Sequence, residues 1–431
     1  MYEPKMSLTP EQLDILHGKR GESKAKIMES IVRFGDIFDA PRLVKVTHSE
    51  GHLVTSFGIS MLKPLFAMMD QLVADKVTVE GKFTMDPRPV DYENVKCNLL
   101  DRLIFSKVLY SQQARYEKQL ALVGLKNKNA FTCTCYLDEV GNIPQYGDIL
   151  SWAESSAVVY ANSVLGARCN RNSGIIELFG SIIGYVPEFG LLLDEGRKAK
   201  WRVIVKTNKI PEAQILGSAI GMKVMEDVSY VIGLDRWIGD ELSPTAKSYL
   251  KDFGAATASN GAVGLFHIDN LTPEAKKFGD KLIDPDAEEY IIDDAELERV
   301  YHSYPIMWKD KEKKGARAFI GCPHLTFAQL NEWSESILDG LKEMGKKKVT
   351  KIVVFTTAPD VAEEFRKTEN YKRIYEAGIR VSSICPLMYM SNPLAKKRRI
   401  MTNSNKLRTY STARYYKDQD LLDILVGKKV G

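Results

Sequence analysis

Residues 349–357, VTKIVVFTT, have the character of a strand buried on both faces. The stretch is rich in β-branched residues and lacks the alternation of apolar and polar side chains that a half-exposed strand shows. The β-leaning run ARAFIG at 316–321 precedes it, and IRVSSI at 379–384 follows it. Residues 326–345 and 358–378, between these runs, have apolar side chains at helical spacing. This alternation predicts a parallel sheet with right-handed crossovers.

Two cysteines fall at one edge of this predicted sheet. Cys322 follows the first strand, Cys385 follows the third, and a proline comes after each of them. In open parallel sheets, ligands bind beyond the carboxyl ends of the strands. A single cysteine in such a place is usually a small apolar filler of the core. Two thiols on one edge indicate a candidate site, with the structural role as the alternative.

A second strand–helix–strand pattern spans residues 201–234, and the composition changes between about 272 and 313. In that interval IDPDAEEYIIDDAELE is strongly acidic and KDKEKKGAR is strongly basic. Such charge runs favour a boundary or a solvated connection. We therefore predict three parts, which are an N-terminal α/β region (1–125), a central α/β region (126–310) with the acidic connection, and a C-terminal α/β domain (311–431).

The composition excludes several classes of protein. The 431 residues are 44% hydrophobic and 27% charged, with a formal net charge of +4, which is too mild to indicate nucleic-acid binding. That function would rest only on the basic stretch at 394–399. No apolar run approaches the ~18 residues of a membrane span, and the N-terminus lacks the layout of a signal peptide. We expect a cytoplasmic protein with no nucleic-acid and no membrane partner.

The stretch SWAESSAVVYANSVLGARCNR at 151–171 combines small residues with uncharged hydrogen-bonding groups. We predict a polar helix over 148–165 with Asp148 as its cap, which places Ser155 and Asn162 on one face. Arg168 and Arg171 follow the helix, and two arginines with nearby amides suit the capture of a carboxylate or phosphate. The alternative is a buried polar network that joins two domains.

Two shorter motifs carry further candidates. GCPH at 321–324 contains His324, which could act as an acid, a base or a hydrogen-bond donor beside a bound ion. TNSNKLRTY at 402–410 contains Ser404 and Lys406, and the lysine could hold a substrate carboxylate. The six cysteines form no paired CxxC motifs, so any metal site must be assembled from distant parts of the chain.

Taken together, these stretches resemble one family, the large catalytic portion of aconitase X. The resemblance covers most of the chain and is densest over 131–197. It is carried by TCTCYL at 132–137, Trp152 to Arg171, PEFG at 187–190, GCPH at 321–324, Cys385, and Ser404 with Lys406. It implies an aconitase-like multidomain α/β architecture with parallel or mixed sheets, lacking the small swivel domain.

The resemblance implies an iron–sulfur hydro-lyase. Its metal ligands would be Cys133, Cys322 and Cys385, holding a [2Fe–2S] or [4Fe–4S] cluster or a single iron with one position open to the substrate hydroxyl. The implied catalytic residues are Glu154, Ser155, Ser156, His324 and Lys406. The implied substrate-binding residues are His52, Asn162, Arg168, Asn170, Arg171 and Ser404.

The family's activities are the dehydration of cis-3-hydroxy-L-proline and of mevalonate 5-phosphate. The chain has no glycine-rich phosphate loop, so we expect cis-3-hydroxy-L-proline as the substrate, with mevalonate 5-phosphate as the alternative. No stretch resembles the swivel domain that carries a serine base, so we expect a separate small subunit. A divergent, non-catalytic cluster-binding protein is a further alternative, because the chain departs from the family pattern at Asp86, Cys169, Leu192, Asn405 and Thr409.

Overall fold

Helices dominate the first part of the chain, with two short pairs of strands between them. The structure is a computed structural model that describes residues 2–309, 316–391 and 395–428. No helix within these ranges has both the length and the apolar character needed to cross a bilayer. The first elements are α1 (Pro10–Leu16), α2 (Glu22–Ile37), β1 (Leu43–Lys45), β2 (Glu50–Leu53), α3 (Lys63–Ala74), β3 (Lys82–Met85), α4 (Leu99–Ile104), α5 (Gln113–Val123), α6 (Ser155–Tyr160), α7 (Ile176–Ile183) and β4 (Tyr185–Pro187). Strand β1 pairs antiparallel with β4, and β2 pairs parallel with β3.

The middle of the chain forms a four-stranded parallel sheet. Its elements are β5 (Ala199–Val205), α8 (Ala213–Val224), β6 (Ser229–Ile232), α9 (Asp235–Ile238), α10 (Pro244–Gly261), β7 (Phe266–Ile268), α11 (Pro273–Phe278), β8 (Ile283–Ile292) and α12 (Asp294–His302). The strand order is β7-β6-β5-β8, and every neighbouring pair is parallel. The strand–helix–strand pattern at 201–234 is therefore confirmed.

The acidic stretch at 283–298 belongs to this sheet, and the expectation of a solvated connection there is wrong. Residues 283–292 form β8, which pairs with β5, and α12 follows at once. Because β8 is an edge strand, its acidic side chains stay in solvent while its backbone completes the ladder. The expected boundary at 310/311 and most of the basic stretch at 309–317 lie outside the described residues.

The C-terminal part contains the parallel sheet that the sequence predicts, with two strands, β12 and β13, beyond the three expected. Its elements are β9 (Arg317–Leu325), α13 (Phe327–Glu343), β10 (Ile352–Thr357), α14 (Pro359–Phe365), α15 (Glu369–Glu376), β11 (Ile379–Ser382), α16 (Pro386–Met390), β12 (Ile400–Thr402), α17 (Asn405–Tyr410), β13 (Arg414–Tyr415) and α18 (Asp418–Val426). The strand order is β11-β10-β9-β12-β13, and every pair is parallel. Thr326 caps α13 as predicted, whereas residues 358–378 form two helices instead of one.

Strand β9 does not end at Gly321, as the sequence suggested, but bulges and continues to Leu325. Ile320 is opposite Phe355 and Leu325 is opposite Thr357, so four residues of β9 face a single residue of β10. Gly321 has a φ of +112°, and a Cβ there would lie 2.3 Å from the carbonyl oxygen of Thr356. The bulge therefore needs glycine, and it turns Cys322 out of the ladder at the carboxyl edge of the sheet.

Apolar cores lie under each of the three parts, and a further core joins the first part to the third. That joining core contains Phe105 and Tyr110 from the first part with Phe319, Tyr389 and Cys322 from the third. Because the side chains interlock across the junction, the carboxyl edge of the C-terminal sheet is held against the first part of the chain.

The variant G321A should be destabilised by about 2–3 kcal/mol, because alanine meets both an unfavourable backbone conformation and the Thr356 carbonyl. The matched control is G345A, where φ is +61° but no atom lies within 4 Å of an added Cβ. Urea unfolding of both variants measures the difference. Equal losses of stability in G321A and G345A would contradict the packing argument.

Candidate active site

A cavity of about 410 Å³ lies at the carboxyl edge of the C-terminal sheet, facing the first part of the chain. Cys133, Cys322 and Cys385 all line it. The polar lining also includes Asp86, Glu154, Ser155, His324 and Lys406. The structure thus brings the three thiols predicted as metal ligands together with four of the residues predicted to be catalytic.

Each thiol is placed by a different feature of the fold. Cys133 follows residues 130–132, which hydrogen-bond to β3. Cys322 lies in the β9 bulge, and the next turn of that bulge brings the backbone N–H of His324 to 3.5 Å from the Cys133 sulfur. Cys385 is the N-cap of α16, and its sulfur accepts a backbone N–H of that helix at 3.4 Å. Three segments remote in sequence therefore converge on one cavity.

The donor set fits an iron–sulfur cluster. Burial raises the pKa of each of the three cavity thiols, and the ammonium of Lys406 opposes this effect in each case. The other three cysteines do not line the cavity, and Cys169 instead accepts the Trp152 N–H at 3.3 Å. Three soft sulfur ligands facing one cavity are suited to iron–sulfur binding.

A buried ion pair between Lys406 and Glu154 lies beside the thiols. The ammonium donates to one Glu154 oxygen and to Ser156 Oγ at 3.0 Å. The other Glu154 oxygen accepts from Ser156 Oγ at 2.7 Å and from the Ala157 N–H at 2.6 Å, so Glu154 caps α6. Burial disfavours the ionised form of Glu154, but Lys406 outweighs it and holds the Glu154 pKa at about 2. Glu154 is therefore an anchored anion and not a base.

Asp86 lines the cavity and His52 lies behind it. The His52 side chain is fully buried and is not among the cavity-lining residues, although the sequence predicts it to bind substrate. Its Nδ1 pairs with Thr84 Oγ1 at 2.9 Å, while its Nε2 is 3.8 Å from Asp86 Oδ1. Neither His52 Nε2 nor Asp86 Oδ1 has a hydrogen-bond partner in the described part of the chain. Burial lowers the pKa of His52 to about 4 and raises that of Asp86.

Asp86 is visible in the sequence only as a departure from the family pattern, and its place in the cavity lining was not predicted. His52, Asp86 and Glu154 each bring one ligand atom within 4.8 Å of the others, a grouping that could hold a metal ion. The Lys406 ammonium on Glu154 repels a cation at that position. Within the described residues the three thiol sulfurs do not form a group this close, and their candidacy as metal ligands rests on the soft-ligand chemistry of three sulfurs lining one cavity.

His324 lines the cavity, but both of its ring nitrogens are occupied. Nε2 lies 3.0 Å from the Ile384 carbonyl, which can only accept, so Nε2 carries the proton. Nδ1 then accepts from Thr132 Oγ1 at 3.0 Å. Burial lowers the His324 pKa to about 4, so the ring is neutral. His324 ties the segments of Cys133 and Cys385 together, and no ring nitrogen is left to meet a substrate hydroxyl.

The helix predicted over 148–165 is shorter than expected. The Arg168 N–H donates to the Asp148 carbonyl at 2.7 Å, and the Leu150 N–H donates to the Arg168 carbonyl at 3.0 Å. Residues 148–150 are therefore extended, and the helix begins at Ser155 with Glu154, not Asp148, as its cap. Residues 161–165 form a π-helical turn, an irregularity that is frequent at functional sites.

Three residues predicted to bind substrate hold the backbone together outside the cavity lining. Asn162 donates to two backbone carbonyls, each at 2.8 Å. Asn170 donates to one carbonyl at 2.9 Å and accepts a backbone N–H at 2.8 Å. Arg168 pairs with Asp194 and donates to a carbonyl at 2.8 Å. This arrangement corresponds to the alternative interpretation, a buried polar network.

Ser404 is the N-cap of α17, the helix that carries Lys406. Its Oγ accepts the Leu407 N–H at 3.1 Å and donates to the Cys322 carbonyl. It lines a separate cavity of about 120 Å³ that shares Cys322 with the larger one. Ser404 therefore positions both a thiol and the buried lysine.

Arg171 is the predicted substrate-binding cation that remains available. Burial lowers its pKa, while Tyr410 and Glu154, which both line the cavity, raise it. Within the described residues, Arg171 forms neither an ion pair nor a hydrogen bond. Arg171 is not itself among the residues that line the cavity, but a half-buried guanidinium without an ion-pair partner is suited to binding an anionic ligand.

Comparisons with known proteins agree with this architecture. Sequence models of the first, second and third domains of aconitase X match residues 5–195, 199–302 and 317–423. The crystal structure of Thermococcus kodakaraensis aconitase X in its holo-form superposes with a TM-score of 0.79 at 27% identity. The superposition covers 97% of this chain and 100% of the other.

Curated relatives fall into two groups. The phosphomevalonate dehydratase large subunits of Thermococcus kodakarensis and Methanosarcina mazei are each 30% identical over 94% of this chain, covering 95% and 92% of their own lengths. The cis-3-hydroxy-L-proline dehydratase of Hypocrea jecorina is 26% identical over 94% of this chain but only 65% of its own length. The chain thus spans the archaeal large subunits almost completely.

Replacing Glu154 by Gln leaves the Lys406 ammonium buried without a counter-charge, and we expect the free energy of unfolding to fall by about 3–5 kcal/mol. The double variant E154Q/K406M should lose less than the sum of the single losses, because no unpaired charge remains. Urea unfolding at pH 7 of the wild type, both single variants and the double variant completes the cycle. Strictly additive losses would show that the two groups do not act as a pair.

Proposed function

The chain belongs to the aconitase X family, and from this premise we propose that it is the large subunit of a mevalonate 5-phosphate dehydratase. The observation that carries the proposal is the convergence of Cys133, Cys322 and Cys385 on one cavity in a chain that spans the archaeal large subunits almost completely. The choice of substrate reverses the expectation from sequence, which favoured cis-3-hydroxy-L-proline because no phosphate loop was visible.

We propose that the three thiolates hold an iron–sulfur cluster. When bound, such a cluster supplies a Lewis-acidic iron that makes a substrate hydroxyl a better leaving group. Lys406 favours the thiolate forms electrostatically, because its ammonium lowers the pKa of each thiol against the effect of burial. The Glu154 carboxylate raises the pKa of Cys133 and Cys322, but its effect is smaller than that of Lys406.

The remaining polar groups of the cavity would bind and orient the substrate. Two of the three ammonium hydrogens of Lys406 are accounted for by Glu154 and Ser156, which leaves one donor for a substrate carboxylate. Ser155, next to Glu154, adds a hydroxyl to the lining. Arg171 supplies the unpaired cation for the second anionic group, which in mevalonate 5-phosphate is the phosphate.

We propose that a separate small subunit completes the site. The archaeal relatives are named large subunits, which implies a small one. Glu154 is anchored and both nitrogens of His324 are occupied, so neither of these residues is free to remove a proton from carbon. A serine of the small subunit would serve as that base, so the chain alone should be inactive.

The test is an assay of the chain expressed and purified anaerobically with the swivel-domain polypeptide of its source organism. We expect dehydration of mevalonate 5-phosphate by the complex, no turnover by either polypeptide alone, and loss of activity in C322S. Turnover of cis-3-hydroxy-L-proline alone would replace the proposed substrate with the other family activity. An intact complex that dehydrates neither compound would contradict the enzymatic proposal and favour a non-catalytic binding protein.

Steady-state kinetics can distinguish the role of Arg171 from that of Arg168. Replacing Arg171 by Met should raise KM for mevalonate 5-phosphate roughly 10- to 100-fold with a smaller effect on kcat, since one charge-assisted contact is lost. The control is R168M, because Arg168 is committed to Asp194 and a backbone carbonyl. A rise in KM for R168M but not for R171M would show that the wrong arginine has been assigned.

A further inference from the structure

An exposed apolar strip lies on the first part of the chain. It consists of Met61, Leu99, Leu100, Leu103 and Val108, whose side chains are between 57% and 85% exposed. Single exposed apolar residues are ordinary, but contiguous ones mark interaction surfaces. Burying a leucine side chain is worth about 1.5–3 kcal/mol, and this strip leaves several of them in water.

The strip is presented on a firmly held support. Helix α4 continues directly into a π-helical turn at 105–109. Its inner face is fixed by the ion pair of Asp101 with Arg398, and Phe105 is fully buried against Tyr389. The opposite face, which carries the strip, has no such partner within the described residues. Its exposure is therefore a property of an ordered helix and not of a loose end.

The strip is linked on two sides to residues that line the active-site cavity. The Ser60 N–H donates to the Leu109 carbonyl at 3.1 Å, which holds Met61 beside the end of the helix. Three residues before Ser60, Phe57 lines the cavity. On the other side, Tyr110 donates its hydroxyl to the carbonyl of Met388 at 3.3 Å, and Met388 also lines the cavity. A partner that binds to the strip would therefore lie near residues of the cavity lining.

The edge of the strip is basic. Lys63, Lys96, Arg102 and Lys107 lie within three residues of strip members along the chain and are exposed. None of them forms an ion pair with a described residue. An apolar surface with an unpaired basic edge is complementary to an apolar surface edged with carboxylates.

We propose that the apolar strip is the docking surface for the separate small subunit. The partner would present an apolar face edged with acidic side chains and, once seated, would cover the cavity that holds the three thiols. This inference rests on the proposed function for the existence of that subunit and adds where on this chain it binds. A second copy of the chain fits less well, because a two-fold contact would bring the basic edges together.

The variant L103E tests the docking surface by placing a charge in the centre of the strip. We expect the Kd for the swivel-domain polypeptide of the source organism to rise roughly 100-fold, as for loss of a central interface contact. The matched control is L122E, whose leucine is 62% exposed at the far end of α5. Isothermal titration calorimetry gives Kd directly, and thermal unfolding verifies that both variants are folded.

The outcomes separate docking from catalysis. Weaker binding in L103E but not in L122E, with kcat restored at saturating partner, supports the proposal whether or not the substrate is the one proposed. An unchanged Kd in L103E, or no binding of the wild-type chain to the polypeptide, overturns it. Loss of self-association or of binding to anionic phospholipid vesicles in L103E, without an effect on the partner, would assign the strip to a second copy or to a membrane. A tight complex that dehydrates nothing would leave the docking surface intact and reject only the function.

Discussion

The architecture of the site depends on a buried pair of opposite charges. Lys406 and Glu154 are 252 residues apart in sequence, yet each is almost completely removed from water and bonded to the other. A buried charge without a partner is strongly destabilising, so the chain folds stably only when α17 and the start of α6 meet. That meeting also brings Lys406 close enough to the three thiols to lower the pKa of each one.

Around this pair, irregular features of the fold position the other residues of the site. The β9 bulge positions Cys322, the N-terminus of α16 positions Cys385, and the N-terminal cap of α17 positions Lys406. These features all lie at the carboxyl edge of one parallel sheet, where the strands end and backbone groups become available to ligands. The regular parts of the sheet hold this edge in place, and the joining core packs it against the first part of the chain. The hydrogen bond between Thr132 and His324 ties the edge to the segment that carries Cys133.

Much of the fold and part of the site could be predicted from the sequence. The runs at 316–321, 349–357 and 379–384 predicted the parallel sheet, and that sheet placed Cys322 and Cys385 on one edge. Cys133 required the family resemblance, because no local pattern relates residue 133 to the sheet. The predicted start of the helix was wrong, although Asp148 is a good cap by residue type. The Asp148 carbonyl accepts the Arg168 N–H, and local sequence patterns do not reveal a pairing across 20 residues. Likewise, residue type could not show that Asn162 and Asn170 hydrogen-bond to backbone groups, whereas Arg171 forms no ion pair within the described residues.

Three thiolates that are remote in sequence are proposed to hold iron at one cavity. The iron and sulfide content of the complex after anaerobic reconstitution, with its visible absorption spectrum, tests this proposal. We expect a cluster in the wild type and in the C135S and C169S variants, and its loss in each of C133S, C322S and C385S. If the cluster survives in C133S, C322S and C385S, or disappears equally in C135S and C169S, these three thiolates are not the ligands.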